Sequence, residues 1–241
     1  MNQYKKRYEL KNWAKDLLDG KYGSAVLICF LSFWISFGLT ILANSFIPFS
    51  SPTVLNYVGL GIASLILSTV LGILDLGIAL FFLKMACGKS YSVNDLLYGY
   101  QKDFKKALYI SGARSLVTAL CLLPSRYLVH AFLYLQNAAL LAAAGIAFGI
   151  GLVIFLYAGL PVTLSFFLML DFPDKSAPEI LQLCFRLIRG NRKKLFFLQL
   201  SFYPLELLSM CSIVGNLWLE PYMNMTYACF YLDLMNPKKA A

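Results

Sequence analysis

Four ionisable residues, Asp75, Arg114, Glu206 and Glu220, fall within or beside long apolar stretches of this chain. A charged side chain at the centre of a bilayer costs about 2.5–3.5 kcal/mol on insertion scales, so each should face protein, water or an opposite charge. Asp75 lies nine residues before Lys84, and Arg114 lies eight residues after Lys106. That spacing puts the two at similar depth and makes them the natural charge partners. Asp75 also belongs to a series at helical spacing: Ser64, Ser68, Gly72, Asp75 and Ala79. Small residues in such a row permit close helix approach. The expected reading is a packing seam whose buried carboxylate pairs with Arg114. The alternative is a solute or proton site.

Glu206 follows Tyr203 by three residues, with Gln199 earlier and Pro204 between. Pro204 is expected to free the carbonyl of Leu200. A broken helix carrying a carboxylate is how transporters build ion sites; an ordinary kink near the outer surface is the simpler expectation. Glu220 and Arg126 are expected at the outer interface. Gly145-Ile-Ala-Phe-Gly149 is a G-x-x-x-G, a candidate helix contact. No hydrolase elbow, phosphate loop, zincin or dinucleotide fingerprint occurs. His130 is the only histidine, so neither a histidine metal site nor ordinary acid–base catalysis is expected. The chain reads as non-enzymatic and without a cofactor.

The elements that must position these residues follow from charge. Nineteen of the 21 Lys and Arg residues fall in four clusters: 5–21, 84–106, 175–194 and 238–239. Short basic loops stay cytoplasmic, so each apolar gap should hold an even number of crossings. The expected fold class is all-α: a polytopic transmembrane bundle of six spans, with short interfacial amphipathic helices and both termini cytoplasmic. Composition agrees, at 59% hydrophobic, 14% charged and mean hydropathy +0.67. The net charge of +9 points to anionic headgroups, because the basic residues flank apolar spans. Nucleic acid is not an expected partner. Further copies of the chain and other membrane proteins remain open as partners. No cleavable signal is expected, since the apolar run Gly23–Ile47 is too long for one.

The expected layout is one integral membrane domain. An amphipathic segment (1–22) precedes a first hairpin (23–83) with its outer turn at Pro48–Pro52. A linker helix (84–103) opens at the capping box Ser92–Asp95. A second hairpin (104–171) contains a first span that Pro124 should kink or end. Its 33 uncharged residues, Ala138–Leu170, would make a helix of ~50 Å, so a break at Gly159–Pro161 is expected. An interfacial helix (172–194) opens at the capping box Ser176–Glu179, with Ile180, Leu181, Cys184, Leu187 and Ile188 toward lipid. Arg186, Arg189, Arg192, Lys193 and Lys194 are its candidate headgroup contacts. A third hairpin (195–235) and a tail (236–241) complete the chain. The two capping serines are 84 residues apart, and a similar interval leads back to Glu9, which suggests a threefold repeat. Cys29, Cys87, Cys121, Cys184, Cys211 and Cys229 read as small apolar fillers.

One resemblance is specific. Glu179-Ile-Leu-Gln-Leu-Cys-Phe-Arg-Leu-Ile-Arg-Gly-Asn-Arg-Lys-Lys-Leu-Phe-Phe-Leu-Gln-Leu-Ser-Phe202 precedes Leu217-Trp-Leu-Glu-Pro-Tyr222, Thr226 and Phe230-Tyr231. Upstream stand Leu10-Lys11, Ala14-Lys15, Leu18, Tyr22-Gly23 and Asp95-Leu-Leu-Tyr-Gly-Tyr100. This order resembles the bacterial integral membrane family catalogued as domain of unknown function 975. The resemblance implies a polytopic membrane protein with no assigned chemistry. Tyr203-Pro-Leu-Glu206 departs from the family's apolar pattern.

Overall fold

The structure is a computed structural model that describes residues 4–45, 54–155, 159–209 and 213–236. The expected outer turn Pro48–Pro52 and Cys211 lie outside them. Among the described residues the chain is helical, without strands. The helices are α1 (Arg7–Leu18), α2 (Tyr22–Ser45), α3 (Val54–Leu71), α4 (Leu74–Ala86), α5 (Tyr98–Gln101), α6 (Phe104–Leu135), α7 (Ala138–Ile154), α8 (Leu160–Val162), α9 (Ser165–Asp171), α10 (Ala177–Leu187), α11 (Arg192–Leu200), α12 (Tyr203–Ser209) and α13 (Ile213–Leu234). A 3₁₀ turn at Val93–Leu97 leads into α5.

The repeat is visible as geometry. Three carboxylates reach back to the backbone N–H that opens their own helix: Glu9 to Lys6 at 2.7 Å, Asp95 to Ser92 at 2.9 Å and Glu179 to Ser176 at 2.9 Å. Each satisfies a donor that the helix start leaves free. Each short helical segment then ends at a left-handed residue, Gly20, Asp103 or Gly190, and a long apolar segment follows. A 170-residue offset superposes buried positions of the first and third units: Leu10 on Ile180, Ala14 on Cys184, Leu18 on Ile188, Ala25 on Leu195 and Ile28 on Leu198.

The three short helical segments each pack on a helix of the bundle at the basic end. The 3₁₀ turn packs on α4 and α10 packs on α9, each on the helix before it in the chain. Segment α1 packs on α13, where the Lys5 N–H donates to Asp233 Oδ2 at 2.9 Å. The seats carry matching buried aromatic pairs, Phe81-Phe82, Phe166-Phe167 and Phe230-Tyr231. Phe167 stacks on Tyr231, ring centroids 5.3 Å apart. Buried hydrophobics concentrate in this basic half. The far halves of α2, α3, α6 and α7 keep large apolar side chains exposed, among them Trp34, Ile66, Leu120 and Ile146.

Several expectations need correction. Helix α6 does not end at Pro124; it continues to Leu135 and carries Arg126 and His130. The first arm of the expected third hairpin (195–235) breaks at Ser201–Phe202, so Pro204 stands at the start of α12, where a missing N–H costs little. In the uncharged stretch the expected break at Gly159–Pro161 adjoins residues outside the described ones; Gly159 itself has a right-handed helical backbone and opens α8, and the described turn lies at Thr163–Leu164, between α8 and α9. The apolar side of α10 does not serve lipid alone: Ile180, Cys184 and Ile188 are fully buried in protein, and only Leu181 and Leu187 are half-exposed. Burying an isoleucine is worth about 1.5–3 kcal/mol, enough to hold this amphipathic helix onto the bundle. The G-x-x-x-G is not an internal contact, since Gly145 and Gly149 have open space around them. The close crossing of α6 and α7 is at Gly151, where a Cβ would sit 2.1 Å from the Cys121 carbonyl oxygen.

Candidate functional site

The expected single span ending at Leu83 is interrupted at Gly72–Ile73, between α3 and α4. The Ile73 N–H turns to the Val70 carbonyl instead of that of Thr69. Side chains of neighbouring elements serve both carbonyls: the released one of Thr69, and that of Val70, which takes a second donor. Ser111 Oγ donates to Thr69 O at 2.6 Å, and Tyr100 Oη donates to Val70 O at 2.7 Å. Gly72 makes the break possible: a Cβ there would lie 2.4 Å from Ser111 Oγ.

This interruption puts Asp75 in the first turn of α4, where the partial positive charge of a helix start favours a carboxylate. Arg114 Nη1 stands 3.1 Å from Asp75 Oδ2, and its guanidinium lies over the Phe166 ring, 4.8 Å from the centroid. The pair is not sealed in packing. Asp75 and Arg114 keep side-chain exposures of 48% and 31%, because they open onto a cleft of about 270 Å³. One wall is the expected seam, Ser64, Ser68, Gly72 and Asp75. The seam therefore lines a polar cleft and is not a dry helix contact. The other wall comes from α6: Ser111, Arg114, Ser115 and Thr118, with Arg126 farther toward the other end.

Three cleft hydroxyls are committed as donors to their own helices: Ser64 Oγ to Gly61 O at 2.9 Å, Ser68 Oγ to Leu65 O at 3.0 Å and Thr118 Oγ1 to Arg114 O at 3.0 Å. A hydroxyl that has given its one proton presents lone pairs. The cleft thus offers acceptors from its hydroxyls and Asp75, and charged donors from its arginines.

Glu206 does not join the pair; it is on α12 and is not among the residues lining this cleft. The broken helix beside it is satisfied differently. Lys11 of α1 donates to the Ser201 carbonyl at 3.2 Å and lies over the Phe202 ring at 3.9 Å. The carboxylate-bearing break is the one at Asp75. Glu220 is exposed on α13 and is not among the residues lining the cleft. The α6 hydroxyl wall was missed in the sequence, although Ser111, Ser115 and Thr118 share a helix face with i, i+4, i+7 spacing.

At the basic end, Arg186, Arg189, Lys193 and Lys194 are exposed or half-exposed. Lys194 leans over the Tyr4 ring at 4.5 Å. Arg192 is half-buried, 5.9 Å from the Phe185 ring centroid, with its guanidinium turned toward protein. Among the described residues no group of three His, Cys, Asp or Glu is placed to hold a metal.

Fold and site define a helical protein with three helices long and apolar enough to cross a membrane: Tyr22–Ala43, Gly59–Ala86 and Phe104–Leu133. Two shorter apolar helices, Ala138–Ile154 and Leu160–Asp171, accompany them. The family described as Protein of unknown function (DUF975) matches residues 1–238, and the chain belongs to that family. No curated protein and no solved structure matches it.

Proposed function

We propose that this is a non-enzymatic, six-span protein of the bacterial plasma membrane that takes a small polar solute or ion into the Asp75–Arg114 cleft from the non-cytoplasmic side. The four basic clusters and both termini lie in the cytoplasm, where the exposed lysines and arginines meet anionic headgroups. One observation carries the reading. The ion pair, with Asp75 about 13 Å along the helix from Lys84, opens onto a polar cleft of about 270 Å³ lined by hydroxyls. A pair that served packing alone would be enclosed. The cleft extends along α6 from Arg114 to Arg126, about 18 Å toward the far end, while buried aromatics close the basic end.

A second reading, a scaffold or envelope-maintenance role, draws on the way α1, the 3₁₀ turn and α10 each seat on a bundle helix beneath the exposed basic rim. The two readings separate in a strain lacking the gene. Asp75→Asn and Arg114→Gln, present in the membrane at wild-type level, are expected to fail to restore the deletion phenotype under envelope stress. Full restoration by both would contradict solute binding and favour the scaffold.

A further inference from the structure

The cleft at Asp75 and Arg114 has a charge arrangement that selects its ligand, and this selectivity rests on the solute-binding role proposed for the same cleft. The two side chains neutralise each other at 3.1 Å. In this partly hydrated cleft, a ligand that engaged only one of them would break the pair and leave the other charge to solvent alone, whereas a ligand that engaged both would keep both charges partnered. An anion on Arg114 strands Asp75, and a cation on Asp75 strands Arg114. A ligand bearing both charges exchanges one internal pair for two external ones and strands neither.

We infer that the cleft binds zwitterions: molecules with an ammonium group a few bonds from a carboxylate or phosphate. Asp75 receives the ammonium, assisted by the acceptor lone pairs of Ser68 and Thr118, whose protons are already donated to backbone carbonyls. Arg114 receives the anionic group, with guanidinium N–H groups left over after the single contact to Asp75. The Phe166 ring behind the guanidinium holds its plane in place. Asp75 and Arg114 mark one stretch of the cleft, and Arg126 lines its other end. The ammonium enters first and the anionic group trails. A free amino acid and the head of a phosphatidylethanolamine share this chemistry, and the cleft is open enough for either approach.

The test uses the full chain in nanodiscs of phosphatidylglycerol, with the thermal midpoint as readout. Glycine and its longer homologue 4-aminobutyrate are compared with their one-charge fragments, acetate and methylammonium. Parallel nanodiscs replace part of the phosphatidylglycerol with phosphatidylethanolamine. The expected result is a saturable upward shift with the zwitterions or with phosphatidylethanolamine, none with either fragment, and loss of the shift in Asp75→Asn and Arg114→Gln. A shift with the soluble compounds identifies a solute, and a shift with the lipid alone identifies a headgroup. If a fragment matches its parent zwitterion, the zwitterion inference falls while solute binding stands. If nothing shifts the midpoint, or the variants respond as wild type does, both fall. The fragment comparison needs no variant, so it holds even if a substitution prevents folding.

Discussion

Arg114 Nη1 on α6 lies 3.1 Å from Asp75 Oδ2 on α4, and the contact joins two helices at the point where α3 gives way to α4. Both partners are partly open to the cleft, so solvent screening limits the strength of the pair. A double-mutant cycle of Asp75→Ala and Arg114→Ala should give a coupling of about 0.2–1 kcal/mol in chemical denaturation, as for exposed pairs. A coupling of several kcal/mol would mean a dry, enclosed pair and would remove the cleft from the account.

Glycine substitutions separate real helix crossings from apparent ones. A Cβ on Gly77 would meet the Leu96 backbone at 2.2 Å, and one on Gly151 would meet Cys121 O at 2.1 Å. Gly77→Ala and Gly151→Ala should each destabilise by about 1–3 kcal/mol, as overpacking does. Gly145→Ala and Gly149→Ala meet nothing and should be neutral or gain up to about 1 kcal/mol from helix propensity. Thermal midpoints in detergent check all four. Equal losses at the two pairs would contradict the assigned crossing.

The capping box of α10 gives a pH dependence with a defined sign. The Ser176 N–H holds the Glu179 carboxyl below its ordinary value of 4.5. A depressed folded-state pKa means that the contribution is complete above the unfolded value and lost as pH falls through the folded one. Stability should therefore fall below pH 4.5 in the wild type and fall less in Glu179→Gln, which lacks the carboxylate at every pH. Amide exchange along α10 reads this locally. Identical acid profiles would contradict the cap.

Ile180 is fully buried and Leu181 is half-exposed, although they are neighbours on α10. Ile180→Ala should cost about 2–5 kcal/mol, the usual loss for a buried aliphatic side chain, and Leu181→Ala clearly less. A depth-sensitive spin label should report lipid at Leu181 and protein packing at Ile180. The reverse order would mean that α10 lies on the membrane and not on the bundle.

The capping boxes at Ser92 and Ser176 are legible in the sequence because their signals are local: a serine, and a carboxylate three residues on. The depth match of Asp75 and Arg114 is legible from distance to the flanking lysines. The break at Gly72–Ile73 is not. No proline marks it, and it exists because Ser111 and Tyr100, distant in the chain, supply the hydrogen bonds that satisfy Thr69 and Val70. Pro124 misleads in the opposite sense, since it sits inside a helix that continues to Leu135, whereas Pro204 does stand at a break, between α11 and α12. The apolar stripe of α10 is legible as a stripe, but periodicity does not say whether lipid or protein covers it. Gly151 carries no spacing signal of its own, and the more familiar Gly145–Gly149 spacing draws the eye away from it.

The most direct measurement is sided labelling of Ser68→Cys in a variant otherwise free of cysteine. Ser68 lines the cleft, which the proposed topology opens to the non-cytoplasmic side. A small, membrane-impermeant thiol reagent added to intact cells should modify Ser68→Cys and the turn position Gln136→Cys. It should spare Ser92→Cys and Ser176→Cys until the cells are permeabilised. Ser68→Cys that reacts only from the cytoplasmic side, or from neither side, would contradict the cleft, and labelling of Ser176→Cys in intact cells would overturn the topology beneath it.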